Sequence, residues 1–580
     1  MTEGGLKDDP RAALRDIQAA LRRDRGNMDL LHQAAAAHRA LGERPQAEQA
    51  EIAALQISET IPALREAARQ MAAREFGEAS RLAAEYLRNR PDDLAAITLS
   101  AEAAIALSVS HQAIPLLERV LSRAPSFMRA RVLYANALML SDRLTEAMRI
   151  IAPMIERRPD DVELVNLFSR IKTELGDHAG AAEANRTLVK LDPKSPEAHA
   201  NLGDALRFAG QKEASIASYR MALTLDPNHG RTWWSLADLD AKLLSDEDLA
   251  QIQKALEARK DDPEHAGNLH FALGLIFDKR GEHDAAFTHF AAGNRMRKDA
   301  QPYDPQELTD KVTRFLDAMT PDRIPALAHA TSDKPTPIFV LGMPRAGSTL
   351  VERMLGRHSQ IEALGELSIA PHMVERIKRD AGEDKLAETI ANLSDQALAN
   401  MGEWYIARAR EHMKTDASWF VDKLHMNWRH LPLILRMLPH ARIIDIRRDA
   451  MDCCWSNTKV LFARGHPAAS DLTDIARFYR DYVRQTDTLR ERAPGRIYLQ
   501  NYEALVDDIE TQARAMFQAM QISFEPQVID FHLSQDPVAT ASSEQVRKPL
   551  NRKGIGTWKP YAKHLTPLRD ALGEFAENPA

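Results

Sequence analysis

The chain has 580 residues, of which 44% are hydrophobic and 27% are charged, a balance typical of globular rather than disordered or fibrous proteins. Its net charge of −7 argues against a general coating of nucleic acid or of an anionic membrane surface, so any bound anion needs a local pocket. The two cysteines, Cys453 and Cys454, are adjacent, which excludes both an ordinary disulfide framework and a cysteine-based metal site.

The length predicts more than one domain, because a single core rarely serves so long a chain. The N-terminal residues carry neither the basic nor the apolar region of a signal peptide, and no stretch approaches about 18 consecutive apolar residues. We therefore expect a cytoplasmic protein without a membrane span.

Prolines recur in the first half of the chain, each 34 residues after the one before: Pro91, Pro125, Pro159, Pro193 and Pro227. A small residue stands twelve positions before each of them: Ala79, Ala113, Ala147, Ala181 and Ser215. A small residue lets two antiparallel helices approach closely, and a proline stops the second helix before the next repeat begins. The period therefore predicts a stack of helical hairpins.

The stretch Pro196–Pro227 shows one such unit, with Leu202-Gly203 in the first helix, Gly210 in the turn and Tyr219 in the second helix. These residues resemble the tetratricopeptide repeat, and the resemblance extends from about Asp29 to Asn294. It implies a helical solenoid over residues 11–300, whose concave face suits an acceptor protein, peptide or glycan. A spacer without a partner is the alternative.

A connecting helix and a linker rich in proline are expected over residues 301–334. Beyond the linker, short apolar runs alternate with helical patterns, and four of them are strand candidates: Ile338–Leu341, Trp419–Val421, Arg442–Ile446 and Arg496–Leu499. Strands alternating with helices predict a parallel α/β domain, here over residues 335–580. The predicted fold class is therefore a helical solenoid followed by a P-loop-like parallel α/β domain.

The first strand candidate runs directly into a glycine-bearing loop, Gly342–Thr349, and then into a helix. Free backbone N–H groups and the helix dipole make such a junction an anion site. The spacing is that of a Walker P-loop, except that Ser348 stands where the lysine belongs, which argues against a magnesium-dependent ATPase or GTPase. The predicted anion contacts are Arg345, Ala346, Gly347, Ser348 and Thr349.

The segment Pro344–Leu350 resembles the 5′-phosphosulfate loop of sulfotransferases, most closely that of tyrosylprotein sulfotransferases. The donor of that family, 3′-phosphoadenosine-5′-phosphosulfate (PAPS), also carries a 3′-phosphate and so implies a second anion site. Arg448 at a strand end and Ser456 eight residues later match the family's 3′-phosphate motif. A guanidinium offers a planar fork to phosphate oxygens. The neighbouring Arg447 is expected only to be solvated at the strand end.

A late segment, Thr540–Trp558, resembles the sulfotransferase loop that covers the nucleotide. The resemblance implies nucleotide contacts from three residues: Ser542, Gln545 and Arg547. The spacing departs from the family pattern, and we expect Arg552 or Lys553 to supply the missing positive charge, a choice the sequence leaves open. Tyr502 matches a Tyr-Glu-x-Leu segment that lies near the nucleotide in the family.

Sulfuryl transfer requires a base for the acceptor and positive charge at the oxygen that leaves sulfur; cationic side chains can supply that charge without a metal. Lys423 matches the lysine of the family's Asp/Asn-Lys motif and is assigned to that oxygen together with Arg345. Two residues compete as base. Glu366 resembles the base of tyrosylprotein sulfotransferases, and His425 resembles that of cytosolic sulfotransferases. The surrounding loop favours Glu366.

The chain is thus similar to bacterial-type tetratricopeptide-repeat sulfotransferases. The resemblance implies transfer from PAPS to a hydroxyl acceptor, such as a protein tyrosine or a saccharide, presented by the repeat arm. A non-catalytic repeat scaffold and a P-loop kinase are the alternatives, the kinase disfavoured by the missing Walker lysine. We expect no metal and no nucleic-acid partner, and the sequence leaves homo-oligomerisation open.

Overall fold

The computed structural model describes residues 9–107, 109–141, 143–329, 334–462, 466–534 and 549–577. The chain divides into two compact units, Met1–Pro193 and Lys194–Ala580. This division follows packing, and it falls within the repeats. The limits expected from the sequence, 11–300, 301–334 and 335–580, separate stretches of different sequence pattern. The division by packing does not test them, so they stay a prediction.

The first unit is built of helices that pack against their neighbours along the chain. Its helices are α1 (Pro10–Arg23), α2 (Met28–Ala40), α3 (Arg44–Ser58), α4 (Pro62–Ala72), α5 (Phe76–Asn89), α6 (Leu94–Ala106), α7 (Ser110–Arg123), α8 (Met128–Leu140), α9 (Leu144–Arg157), α10 (Val162–Glu174) and α11 (His178–Leu191).

The second unit begins with seven further helices within the described ranges. They are α12 (Pro196–Phe208), α13 (Lys212–Leu225), α14 (Gly230–Asp240), α15 (Asp246–Ala258), α16 (Pro263–Arg280), α17 (His283–Ala300) and α18 (Pro305–Ala318).

The periodic prolines have the predicted effect on the helices. Helices α5, α7, α9, α11 and α13 each end two residues before one of the five prolines. The five small residues twelve positions earlier are completely buried in the helix pairs. In the last hairpin the glycine of the repeat is required, because a Cβ on Gly274 would lie 2.6 Å from the ring of Phe290.

The rest of the second unit alternates strands with helices. The elements are β1 (Thr336–Gly342), α19 (Ser348–Leu355), β2 (Ile361–Ala363), α20 (Ile369–Ala381), α21 (Leu386–Ala391), α22 (Asp395–Arg410), β3 (Trp419–Asp422), α23 (Leu431–Met437), β4 (Arg442–Arg447), α24 (Ala450–Thr458), α25 (Leu472–Arg492), β5 (Ile497–Asn501), α26 (Tyr502–Asp507), α27 (Ile509–Met520) and α28 (Thr566–Leu572).

Within the described residues, five parallel strands form one sheet in the order β2-β3-β1-β4-β5. Every residue of β1 and β4 is buried, as expected for parallel strands covered on both faces. All four predicted strands are confirmed as β1, β3, β4 and β5. The short edge strand β2 was missed, because three residues with Glu362 at their centre make no apolar run.

The last repeat packs on the α/β part of the same unit. Phe271 and Phe290 belong to the hydrophobic core that contains β1, and the Phe290 ring meets the Trp455 ring edge-on at 6.1 Å. Asn294 donates a hydrogen bond from Nδ2 to the carbonyl of Thr458 at 2.9 Å. These contacts explain why the later repeats belong to the second compact unit. Among the described residues, no helix has both the length and the apolar character needed to cross a membrane.

Candidate active site

The candidate site lies at the carboxyl ends of three neighbouring strands. β1 pairs with β3 on one side and with β4 on the other. The chain runs from β1 to β2 in one direction along the sheet and from β4 to β5 in the other. The carboxyl ends of β1 and β4 are therefore a topological switch point, where open α/β sheets bind ligands. The predicted phosphate loop follows β1, and Arg448 follows β4. Lys423 follows β3, and Glu366 follows the edge strand β2.

The phosphate loop joins β1 to α19. Arg345 and Gly347 adopt positive φ angles of 66° and 109°, and Gly347 is the residue that precedes the helix. A Cβ on Gly347 would lie 2.6 Å from the ring of Tyr502, so that position requires glycine. Ser348 and Thr349 are buried in the first turn of α19. Backbone N–H groups at the start of a helix and the helix dipole favour an anion.

The structure brings Arg345, Ser456 and Arg448 into one chain of contacts. Arg345 donates from Nε to Ser456 Oγ at 3.3 Å, and Arg448 donates from Nη1 to the backbone carbonyl of Arg345 at 3.0 Å. The guanidinium of Arg448 also lies over the ring of Tyr502, 5.5 Å from its centroid. Burial and the charge of Arg448 lower the pKa of Arg345. Two buried guanidinium groups this close favour a bound anion between them.

The late loop is tied to the same cluster by a residue that sequence reasoning missed. Arg448 donates from Nη2 to the carbonyl of Gly554. Asp452 accepts hydrogen bonds from Gly556 N at 2.5 Å, Thr557 Oγ1 at 2.7 Å and Trp558 N at 3.1 Å. The sequence carried one signal for Asp452. It lies four residues after Arg448 and four before Ser456, a spacing that places side chains on the same side of a helix, here at the start of α24.

The other predicted nucleotide contacts divide into two groups. Arg552 is exposed and pairs with Asp507 at 2.8 Å, and the backbone N–H of Lys553 bonds to Asn551. The choice between these two residues therefore stays a prediction. Ser542, Gln545 and Arg547 lie outside the described residues, so their contacts also stay predictions.

On the other side of β1, Lys423 is buried at the end of β3. Its Nζ lies 2.6 Å from Glu366 Oε1 and 3.8 Å from Glu352 Oε2. His425 Nδ1 lies 3.8 Å from Glu366 Oε1. Both candidate bases are thus neighbours, and Glu352 is an additional carboxylate that sequence reasoning missed. The sequence carried one signal for Glu352: it stands one helical turn after Ser348 in α19, on the same face of the helix.

The charges of this cluster shift its pKa values in opposite directions. Burial by itself raises the pKa of Glu366, but the neighbouring His425 and the charge of Lys423 outweigh burial and bring the pKa down to about 2. Burial alone would lower the pKa of Lys423, but the charges of Glu352 and Glu366 raise it above its ordinary value. Lys423 therefore stays an ammonium at neutral pH. The Glu366 side chain is 41% exposed, so an acceptor can reach it.

Asp422 fixes the relative position of the Lys423 and Glu366 segments. Its buried carboxylate accepts hydrogen bonds from Tyr405 Oη at 2.7 Å and Asn427 Nδ2 at 3.1 Å. The same carboxylate accepts from the backbone N–H groups of Leu424 at 3.1 Å and Leu367 at 3.4 Å. These hydrogen bonds lower the pKa of Asp422, but burial outweighs them and raises it to about 7.

The expectation for Arg447 was wrong. The residue is 3% exposed and bonds from Nη2 to Asp487 Oδ1 at 2.5 Å and to Asp445 Oδ2 at 2.9 Å. The reason is that β4 lies inside the sheet, where successive side chains point to opposite faces. Arg447 therefore turns toward α25, while Arg448 turns toward the phosphate loop.

Comparison with known proteins finds family models that match two parts of the chain. Residues 337–526 match the model of the sulfotransferase family, and residues 111–171 and 169–229 match models of the tetratricopeptide repeat. The chain thus combines tetratricopeptide repeats with a C-terminal sulfotransferase domain, as the sequence predicted.

Two relatives and one solved structure illustrate the likeness. An uncharacterized protein of Aquifex aeolicus is 28% identical over 428 residues, which cover 72% of this chain and 56% of that protein. Protein-tyrosine sulfotransferase 1 of Danio rerio is 23% identical over 242 residues, which cover 38% of this chain and 65% of that protein. The sulfotransferase domain of the Synechococcus PCC 7002 olefin synthase has a TM-score of 0.26 at 17% identity, covering 41% of this chain and 98% of that domain. The chain therefore spans less than two thirds of the length of these two relatives.

Proposed function

We propose that the sulfotransferase domain moves the sulfuryl group of PAPS to a hydroxyl acceptor that the repeats present. The observation that carries this proposal is the arrangement around β1. The Arg345–Ser456–Arg448 cluster lies toward β4. On the other side, Lys423 at the end of β3 pairs with Glu366, which follows β2. One side supplies cations for a doubly anionic nucleotide, and the other supplies a base and an ammonium.

The residues present fit the two anionic ends of the donor. The amides at the start of α19 and the Arg345 side chain would hold the 5′-phosphosulfate. Arg448 and Ser456 would hold the 3′-phosphate. Arg448 is buried, and its Nε has no hydrogen-bond partner in the part of the chain that the structure describes. A buried guanidinium N–H without a partner is costly, and a phosphate oxygen would satisfy it.

The transfer step assigns one task to each group. The acceptor oxygen bonds to sulfur while the bond from sulfur to the 5′-phosphate oxygen breaks, and that oxygen keeps the electron pair. Glu366 takes the proton of the acceptor hydroxyl, with His425 as the alternative base. Lys423 and Arg345 neutralise the charge that develops on the departing oxygen.

Contacts of the later repeats near this site support a role in guiding the acceptor. On α16, Asp278 accepts a hydrogen bond from Tyr561 Oη and pairs with Lys459 Nζ at 3.2 Å. On α14, the charge of Asp238 acts on Arg345. The helices of the later repeats therefore border the phosphate loop. A chain-like acceptor, such as a peptide with a tyrosine or a saccharide, would lie along them.

Ligand binding tests the donor. Calorimetry of the full chain with adenosine 3′,5′-bisphosphate and with adenosine 5′-monophosphate should show at least tenfold tighter binding of the bisphosphate. ATP with magnesium serves as the control for a P-loop kinase and should bind more weakly than the bisphosphate. Equal affinity for the two adenosine nucleotides would contradict the 3′-phosphate assignment.

A truncated chain tests the role of the repeats. A cut near residue 330 would remove Phe271 and Phe290 from the core that contains β1, whereas a cut before Lys194 follows the division between the compact units. The chain Lys194–Ala580 should keep nucleotide affinity within a few-fold. Reduced turnover of a long acceptor with unchanged turnover of a short one would assign acceptor recruitment to the first unit. Full turnover of both would leave the first unit as a spacer.

A further inference from the structure

Glu352 is a second carboxylate beside Lys423 that the transfer step above does not use. It lies on α19, and its Oε2 is 3.8 Å from Lys423 Nζ. Its side chain is 12% exposed, and it accepts a hydrogen bond from the backbone N–H of Gly365, next to Glu366. The residue therefore contacts both catalytic segments from the helix that begins at the phosphate loop.

The resting arrangement of Lys423 does not suit Glu366 as a base. Lys423 Nζ donates to Glu366 Oε1 at 2.6 Å. While this hydrogen bond stands, Glu366 binds a proton weakly, because a protonated carboxyl would lose the ion pair. Lys423 has two further N–H groups that can serve the departing oxygen, so the bond limits Glu366 rather than Lys423. Lys423 must therefore release Glu366 before Glu366 can take a proton.

We propose that Glu352 is a positioning residue that holds the Lys423 ammonium when Glu366 is released to accept the acceptor's proton. A lysine ammonium is a compact charge on a flexible stem, so a shift of about an ångström exchanges one carboxylate for the other. The ammonium stays paired throughout, which avoids an unpaired buried charge. This inference rests on the proposed sulfuryl transfer.

The surroundings of Glu352 agree with this role. Burial raises its pKa, as does the charge of Glu366, while the charge of Lys423 lowers it. A closer approach of Lys423 therefore lowers the pKa of Glu352 and stabilises its carboxylate form. Because Glu352 shares α19 with Ser348 and Thr349, a shift of this helix on donor binding would move Glu352 with respect to Lys423.

The test compares Glu352→Gln with a matched control, Glu375→Gln. Glutamine keeps an acceptor for the Gly365 N–H and removes only the charge. Glu375 is a 63% exposed carboxylate of the same domain that pairs with Lys378 at 3.7 Å. Turnover is measured with radiolabelled PAPS and two phenols, one with a pKa of about 10 like tyrosine and one already ionised at the assay pH.

Glu352→Gln should lower kcat for the unionised phenol at least 30-fold and for the ionised phenol less than threefold. The affinity for adenosine 3′,5′-bisphosphate should change less than twofold, and Glu375→Gln should match the wild type. Glu352→Asp should recover part of the lost turnover. An equal loss with both phenols, or a loss of nucleotide affinity, would show a structural role and overturn the proposal.

Crystal structures of the bisphosphate complexes give a readout that needs no activity. In the wild-type complex Lys423 Nζ should bond to Glu352, and in the Glu352→Gln complex it should remain on Glu366. Retention of the Lys423–Glu366 bond in the wild-type complex overturns the proposal. If the wild type binds the bisphosphate but sulfates neither phenol, the choice of acceptor in the proposed function fails, and the crystallographic result still decides the role of Glu352.

Discussion

The ends of β3 and β4 carry similar cations in opposite electrostatic settings. At the end of β3, the Lys423 ammonium lies between the carboxylates of Glu366 and Glu352, at 2.6 and 3.8 Å. At the end of β4, Arg448 donates both Nη groups to uncharged backbone carbonyls. The carboxylate of Asp452 lies 3.9 Å from Arg448 and bonds instead to the late loop.

This difference separates the two tasks of the proposed reaction. A cation among carboxylates forms a group that can exchange protons, because each ion sets the pKa of its neighbour. Arg448 instead bonds to carbonyls, and its nearest carboxylate, at 3.9 Å, is engaged by the late loop, so its positive charge remains available to an incoming anion. We therefore expect substitutions after β2 and β3 to change turnover and substitutions after β4 to change nucleotide affinity.

The largest effect is expected from Glu366→Gln. Loss of the general base should lower kcat by roughly 10²–10⁴ with little change in nucleotide affinity. Steady-state kinetics and calorimetry on the same preparation measure both quantities. If Glu366→Gln is near wild type and His425→Ala is inactive, His425 is the base and the assignment to Glu366 is wrong.

Arg448→Ala should weaken binding of adenosine 3′,5′-bisphosphate by about 1.5–3 kcal/mol, the range for charge-assisted hydrogen bonds. It should leave the weaker binding of the 5′-monophosphate unchanged, whereas Arg345→Ala should weaken both. Arg514→Ala, an exposed arginine paired with Glu510, is the control and should change neither. Equal losses for both nucleotides with Arg448→Ala would contradict separate anion sites.

Asp452→Asn should weaken bisphosphate binding by roughly 1 kcal/mol or more, because asparagine has one acceptor oxygen where the carboxylate uses two. Its NH2 group cannot accept from the second set of late-loop donors, so at least one charge-assisted hydrogen bond to the late loop is lost. The amides of Gly556 and Trp558 should exchange with deuterium faster than in the wild type. Unchanged exchange would show that other contacts hold the loop, and the affinity loss would then need another cause.

The smallest effect concerns acid stability. Pairing with Lys423 and His425 lowers the pKa of Glu366 from 4.5 to about 2 in the folded chain despite burial. A lowered folded-state pKa stabilises the fold above the unfolded pKa, and that stability is lost as the pH falls through the folded pKa. The difference in Tm between wild type and Glu366→Gln should therefore shrink between pH 4.5 and 2. A difference independent of pH in this range would contradict the ion pair.

The sequence by itself determined the features that depend on local pattern. The 34-residue period places proline and small residues within single hairpins, so it predicted the repeats without any long-range information. Strands β1, β3, β4 and β5 are apolar runs long enough to be recognised one at a time. The loop before Ser348 and the spacing from Arg448 to Ser456 each lie within one strand–helix junction.

Only the tertiary structure decided which of these segments meet. Lys423 and Glu366 are 57 residues apart, and their ion pair exists because β3 lies between β2 and β1 in the sheet. Glu352 and Asp452 each lie in a helix with no local motif around them. Their partners come from distant segments: Lys423 for Glu352, and the late loop at Gly556 for Asp452. Arg447 and Arg448 are adjacent in sequence, yet strand alternation sends one into a buried ion pair and the other toward the phosphate loop. Charge pairing acts through space at a few ångströms, so only the order of the strands determines it.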